Sequence, residues 1–415
     1  RKVEERNFQI RKNILEYDEV MELQRQGFYG MRQRVLEGRK VKGLIFEFIE
    51  DSLADAVGKY LAPDYFAECV AEYARGKLGC SVAPERFRRR DREDAEALLR
   101  KEARDDAQHE ISVTIGEYVP EGADPVDIDS KGLVNWAAKR FKVEISEGEV
   151  LRLSTQEIRN LLFDAAARQI DDADLTDLGK YLTPNYGASE LARWVKNTLD
   201  LEVSVEEILE LETEEEVVQL ILGKVTEAYA KREIEYPVEF MMEMTMAMIR
   251  QSGPGALSGL VAWANTRFGM GWDDSVVRTK MPQQIKDDLV KGSRAFVESG
   301  AIQKAIDEAL ACPDNAALEK YMLEKHNARL PQWLLRLQGD DRTEAIQARV
   351  ESVLRAELLQ FERFVLLEVL DSAWKDHLYA MDQLRDSIGF RAFSQQDPRI
   401  EFKREGSRLY REMLA

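Results

Sequence analysis

The chain is poor in the residues that do covalent and metal chemistry. Its 415 residues include three cysteines and three histidines. Cys69, Cys80 and Cys312 are odd in number and form no C-x-x-C pair, which excludes a disulfide framework or a zinc knuckle and fits incidental thiols in a reducing compartment. His109, His326 and His377 lie far apart, so no local spacing marks a metal site. No run of 18 or more apolar residues exists, so nothing is expected to span a bilayer, and no secretory leader is legible. The phosphate-cradling G-x-x-x-x-G-K-[ST] motif is missing, as are G-x-S-x-G, H-E-x-x-H and any Cys/His pairing. Gly253-Pro-Gly255-Ala-Leu-Ser-Gly259 misses G-x-G-x-x-G by one residue, follows no strand-like run and loses an amide donor at Pro254; it reads as a loop and cap. No catalytic, cofactor-binding or metal-binding residue is expected.

What is present is a large helical surface. With 44% hydrophobic and 33% charged residues, the chain can bury cores and stay well solvated, and its length allows two or three domains. The net charge of −18 argues against nucleic acid as main partner, because phosphate binding needs a basic footprint. Carboxylate clusters such as Glu206-Glu207 and Glu214-Glu215-Glu216 read as solvated helix faces. The first residue is Arg1 and not Met, as expected of a piece of something longer.

Helical periodicity dominates. Phe8, Leu15, Val20, Leu23, Tyr29, Val35 and Leu36 fit one long helix over about 3–36, with a second from about Lys42 to Tyr60 that Pro63 ends. Ile346, Val350, Val353, Phe361, Val365, Leu370, Trp374, Leu378 and Met381 predict a third, from about Thr343 to Arg385, roughly 60 Å long at 1.5 Å per residue. Such helices hold only by packing on partners.

Between them lies an internal repeat. Val70–Tyr73–Leu78, Leu133–Trp136–Phe141, Leu191–Trp194–Leu199 and Leu260–Trp263–Phe268 share one pattern, with aromatic anchors 63, 58 and 69 residues apart. Tyr60-Leu-Ala-Pro63, Tyr118-Val-Pro120 and Tyr181-Leu-Thr-Pro184 precede three copies. Ser154-x-x-Glu157 and Thr213-x-x-Glu216 are capping boxes that open longer helices. Amphipathic helices often share Leu and Trp spacings, but four recurrences with proline-marked entries favour one supersecondary unit used repeatedly. Met241, Met242, Met244, Met246 and Met248 read first as core, with an adaptable binding surface as the alternative.

At the C-terminus, Asp397 is placed to cap a helix and Pro398 to enter its first turn. The result is a helix–loop–helix whose tip offers Ile388, Phe390, Arg391 and Phe393, either to a partner or to its own helices.

Here a family resemblance enters. Phe364-Val-Leu-Leu-Glu-Val-Leu-Asp-Ser-Ala-Trp374-Lys-Asp-His377-Leu, Ala380-Met-Asp-Gln-Leu-Arg385, Ile388, Arg391, Gln395 and Asp397-Pro398-x-x-Glu401-x-Lys403-Arg404-Glu405 resemble the scaffold region of SecA preprotein translocases. So does the run Arg6-Asn-Phe8-x-Ile10-Arg-Lys-Asn13-x-Leu15-Glu-Tyr-Asp-Glu-Val20. The resemblance covers roughly the first 60 and last 75 residues.

The resemblance implies an all-α fold: long scaffold helices, a two-helix finger and a wing. In the family the scaffold braces two nucleotide-binding domains, and the finger reaches the cytoplasmic mouth of the SecYEG channel, where its tip contacts the translocating preprotein. By position, Phe393 stands where the family usually has Tyr, with Ile388, Phe390 and Arg391 in the same loop; Ser387 and Ala392 stand where it often has Gly. ATP, Mg²⁺ and the motor domains would precede Arg1, and the zinc-binding tail would follow Ala415, so the chain alone is expected to hold no cofactor and to be inactive as an ATPase. The parent would be bacterial and cytoplasmic, at the inner face of the cell membrane. The usual wing is one small unit, whereas here about 280 residues stand in its place. The expected division is scaffold over 1–60, an expanded wing over 61–310 (units 61–117, 118–180, 181–250 and 251–310), a connector over 311–342, and scaffold with finger over 343–415. A free-standing helical-repeat interaction module is the alternative.

Overall fold

The computed structural model describes residues 2–88, 90–120, 128–388 and 397–414. Among them are nineteen α-helices and no strand, an all-α fold. The chain opens with α1 (Lys2–Glu37) and α2 (Val41–Tyr60). Between them Gly38 and Lys40 take positive φ, and the amides of Gly38 and Arg39 close back onto the carbonyls of Val35 and Arg34.

The middle of the chain uses one local plan four times: a short helix, a left-handed residue, a helical plug and a longer helix. The first copy runs α3 (Tyr65–Leu78), Gly79, a 3₁₀ turn at Pro84–Phe87 and α4 (Arg92–Tyr118). The second runs α5 (Ser130–Phe141), Lys142, α6 (Glu147–Val150) and α7 (Thr155–Asp171). After α8 (Leu178–Tyr181) come α9 (Tyr186–Leu199), Asp200, α10 (Val205–Leu209) and α11 (Glu214–Ser252). The fourth has α12 (Leu257–Phe268), Gly269, α13 (Asp274–Thr279) and α14 (Pro282–Glu298). Capping boxes at Ser146/Glu149, Ser154/Glu157 and Ser204/Glu207, with Thr213 and Glu216 bonded reciprocally, start the helices where orphan amides need acceptors.

The register repeats with the plan. Three residues before each aromatic anchor, Val70, Leu133, Leu191 and Leu260 are buried; one residue after it, so are Ala74, Ala137, Val195 and Ala264. Fourteen residues after it, Phe87, Val150, Ile208 and Val277 plug the core. The left-handed turn always falls six residues after the anchor. It lets the chain reverse, at a cost of roughly 1–2 kcal/mol where a side chain is present, as at Lys142 and Asp200. Aligned this way, the copies fall into pairs. The first and third share G-K-Y-L-x-P-x-Y (Gly58–Tyr65 and Gly179–Tyr186), and the second and fourth share G-L-V-x-W-A-x-x-R-F (Gly132–Phe141 and Gly259–Phe268). The order is that of a doubled two-unit module.

The remaining helices are α15 (Ala301–Leu310), α16 (Asn315–His326), α17 (Gly339–Leu354), α18 (Ala356–Ser387) and α19 (Pro398–Leu414). Two compact units result: residues 54–221, and residues 1–53 with 222–415. The boundaries differ from a single arm over 61–310. The fourth copy belongs with the terminal segments, because Trp263 and Arg267 of α12 bond to Glu357 of α18. The 311–342 stretch is itself structured, with Leu318, Met322 and Leu334 packed on Ala345 and Ile346 of α17.

The single helix expected over 343–385 is broken. Arg355, at φ −137° and ψ 38°, separates α17 from α18. Apolar periodicity runs through the break, so its cause is tertiary: the Arg355 guanidinium is drawn into a buried cluster.

Candidate functional site

Helices α1, α18 and α19 form a three-helix assembly. Trp374 and Phe28 stack at 4.4 Å and 6°, amid Val35, Leu359, Leu366 and Leu370. Arg32 holds both oxygens of Asp371 at 2.7 and 2.9 Å, a fork geometry that fixes α1 against α18 along the axis. Gln24 joins all three helices. Its Nε2 donates to the Gly406 carbonyl at 2.9 Å, leaving Oε1 to accept from His377 Nε2 at 2.9 Å. Burial lowers the His377 pKa, consistent with a neutral ring donating through Nε2. Gly406 leaves room for Met381: a Cβ there would meet Met381 Cε at 2.9 Å, and the end of that side chain would have to move.

One turn further, Tyr17 packs on Phe402 at 4.6 Å, and Met381, Ile388 and Phe402 form a second core with Val20 and Met21. This is the base of the helical hairpin. Ile388, expected at the tip, is only 2% exposed, because the last turn of α18 directs it onto Phe402. It anchors the hairpin and offers no contact surface. Phe390, Arg391 and Phe393 lie outside the described residues. Asp397 caps α19 as expected, accepting from the Arg399 amide at 3.0 Å. The Arg399 guanidinium and amide hold its carboxyl down at about 2.

A second cluster, not foreseen from sequence, surrounds the α17–α18 break. Arg355 donates to Glu362 at 2.8 and 3.1 Å and to Tyr229 of α11 at 2.7 Å, while the Tyr229 hydroxyl donates to Glu362. Burial pulls Arg355 down, but Glu362, Tyr229, Glu351 and Glu233 outweigh it and its pKa rises. Burial raises Glu362 despite Arg355. Beside it, Glu357 accepts from Trp263 Nε1 and from Arg267, both at 2.8 Å. A hint was available: Glu357 and Glu362 interrupt an otherwise apolar helix face.

Among the described residues no group of three His, Cys, Asp or Glu could hold a metal, and no helix is long and apolar enough to cross a membrane. The methionine run divides: Met241 and Met242 pack on the core of Val238 and Leu260, whereas Met244, Met246 and Met248 are exposed. On α18, Phe361, Phe364, Val365 and Val369 form an exposed apolar stripe at helical spacing.

A family model described as the SecA Wing and Scaffold domain matches residues 1–81 and 274–415, more than half of the chain. The chain belongs to this family. Protein translocase subunit SecA 1 of Rhodopirellula baltica is 29% identical over 439 positions, covering all of this chain and 35% of the relative. SecA of Carboxydothermus hydrogenoformans is 33% identical over 148 residues, 31% of this chain and 17% of that protein. SecA of Endomicrobium trichonymphae is 45% identical over 71 residues, 17% and 8% respectively. No solved structure matches. The chain thus spans about a third of the length of its Rhodopirellula relative.

The family match also explains the repeat. It stops at residue 81 within the first repeat copy and resumes at 274 within the fourth. The unmatched stretch is 192 residues, against 190 positions from Tyr73 to Trp263. The unmatched stretch therefore amounts to three repeat periods, with the match ending in the first copy and resuming at the equivalent region of the last. The Rhodopirellula relative aligns across this middle too.

Proposed function

We propose that this chain is the scaffold-and-wing part of a SecA-type protein translocase. It would pass ATP-driven motion of motor domains elsewhere in the polypeptide to a preprotein entering the SecYEG channel. The observation that carries the reading is α18 itself. It is clamped to α1 and α19 through Trp374, Asp371 and His377, ends in the α18–α19 hairpin, and keeps Phe361, Phe364, Val365 and Val369 exposed over its first half. Covering that stripe with motor domains would remove apolar surface from water. A force applied there would reach the hairpin through a helix 32 residues long, about 48 Å at 1.5 Å per residue.

In this reading Phe390, Arg391 and Phe393 are the channel-and-preprotein contacts, and Ile388 seats them. A ring that slides over varied side chains needs apolar area and no fixed hydrogen bond, so Phe393 serves. ATP and Mg²⁺ are held by the motor domains, and no cofactor by this chain. The parent works in the cytoplasm, peripherally at the inner face of the cell membrane. The test is ATP-dependent import of a preprotein into SecYEG-bearing vesicles by the full-length protein. Phe393→Ala should slow import with the thermal melt unchanged; an unchanged import rate would contradict the assignment.

A further inference from the structure

The two G-K-Y-L-x-P-x-Y motifs, 121 positions apart, meet within the 54–221 unit. Tyr60 lies edge-on to Tyr65 at 5.2 Å and 74°, and Tyr181 edge-on to Tyr186 at 5.5 Å and 72°. Tyr65 and Tyr186 then stack on each other at 5.9 Å and 14°. Lys59 lies over Tyr60 and Lys180 over Tyr181, at 5.3 and 4.8 Å. The two motifs thus repeat the same edge-on tyrosine pair and lysine contact. A difference between the motifs makes the approach possible: Phe66 of the first motif corresponds to Gly187, where a Cβ would fall 2.1 Å from the Tyr60 carbonyl oxygen.

Between the motifs is an open recess of about 440 Å³, lined by all four tyrosines, Pro63 and Arg90 among others. The four rings are half-buried, and the hydroxyls of Tyr60, Tyr181 and Tyr186 have no hydrogen-bond partner among the described residues. Burial raises the pKa of Tyr186, so its hydroxyl stays a donor. Arg90 lines the recess, and Lys59 and Lys180 lie over two of its tyrosines; none of the three forms an ion pair among the described residues. Of the nearby carboxylates, Asp64 and Glu190 are paired with Arg88 and Arg193, and Glu214 lies beside Gly58. On a chain of net charge −18, this is an aromatic recess with three unpaired cations at it.

Charge selects an anionic occupant. The aromatic slots and free hydroxyl donors select its form. A polyproline-type strand has no internal hydrogen bonds, so its carbonyls are open to tyrosine donors and its prolines fit between rings. The recess is concave, which suits a strand and not a flat lipid surface. Nucleic acid is disfavoured by the charge of the chain as a whole. We propose that the paired tyrosine motifs form a binding recess for an extended, proline-containing polypeptide segment rich in acidic residues. This stands independently of the translocase reading.

The test is fluorescence anisotropy of the full chain with a labelled peptide of alternating Glu and Pro-Pro. A Lys-for-Glu counterpart and anionic phospholipid vesicles serve as controls. Saturable, salt-sensitive binding of the acidic peptide alone is expected. The paired change Tyr60→Phe and Tyr181→Phe keeps the rings and should weaken binding roughly 2- to 12-fold per lost hydroxyl bond. Lys59→Glu with Lys180→Glu should abolish it. Absence of binding, equal binding of the lysine peptide, binding of vesicles only, or binding indifferent to both sets of changes would overturn the proposal.

Discussion

Gln24 of α1 and His377 of α18 meet at 2.9 Å in a space where His377 is only 3% exposed. Through the same amide Gln24 also reaches the backbone of α19 at Gly406. One side chain thus sets the register of three helices, and its partners have no water to fall back on.

Replacing Gln24 by Leu strands Nε2 of the His377 ring, while the Gly406 carbonyl keeps its bond within α19. Each unsatisfied buried group costs roughly 1–3 kcal/mol. Urea unfolding of the chain should show a loss of that order for Gln24→Leu, and roughly 3–5 kcal/mol for Trp374→Ala, which empties the stack on Phe28. A Gln24→Leu variant as stable as the parent would mean that the bridge is not formed in solution.

The same bridge predicts a pH dependence. Burial holds His377 below its ordinary value of 6.5, so the unfolded chain binds the proton more readily than the folded one. The stabilising contribution is therefore complete above about pH 6.5 and is lost as pH falls below it toward the depressed folded value. His326, lowered by burial in the same sense, adds to the slope. His377→Gln keeps a neutral donor and removes one titration. Stability measured between pH 7 and 5 should fall less steeply for the variant, and identical slopes would refute the assignment.

The doubled two-unit module can be tested by deletion. Removing residues 82–271 takes out 190 positions and joins Ser81 to Trp272 in repeat register, since Val82 and Trp272 occupy equivalent places nine residues after their anchors. The shortened chain should fold cooperatively, with circular dichroism of an all-α protein. A molten or aggregated product would show that the copies are not interchangeable units.

Local signals were legible in the sequence because local physics sets them. The Ser154/Glu157 box and the buried leucine three residues before each Trp follow from capping and helical spacing alone. The break at Arg355 was not legible: its partner Tyr229 lies 126 positions away, and apolar spacing continues through it. The tie of the fourth copy to α18 was not legible for the same reason, since the Trp263–Glu357 bond spans 94 positions. Ile388 read as an exposed loop residue because nothing local announces that Phe402 covers it. The pairing of copies was present in the sequence all along, but only the left-handed turns at Gly79, Lys142, Asp200 and Gly269 supplied the register that reveals it.

The most direct measurement is the number of ATP molecules hydrolysed per preprotein imported by the full-length protein, compared with a Gly406→Val variant. Valine at 406 would push on Met381, whose Cε lies 2.9 Å from where a Cβ would be, and loosen α19 from α18 within the hairpin. The account predicts that ATP turnover persists while import falls, raising ATP spent per preprotein. An unchanged ratio with the variant folded would show that these helices do not carry motion to the hairpin.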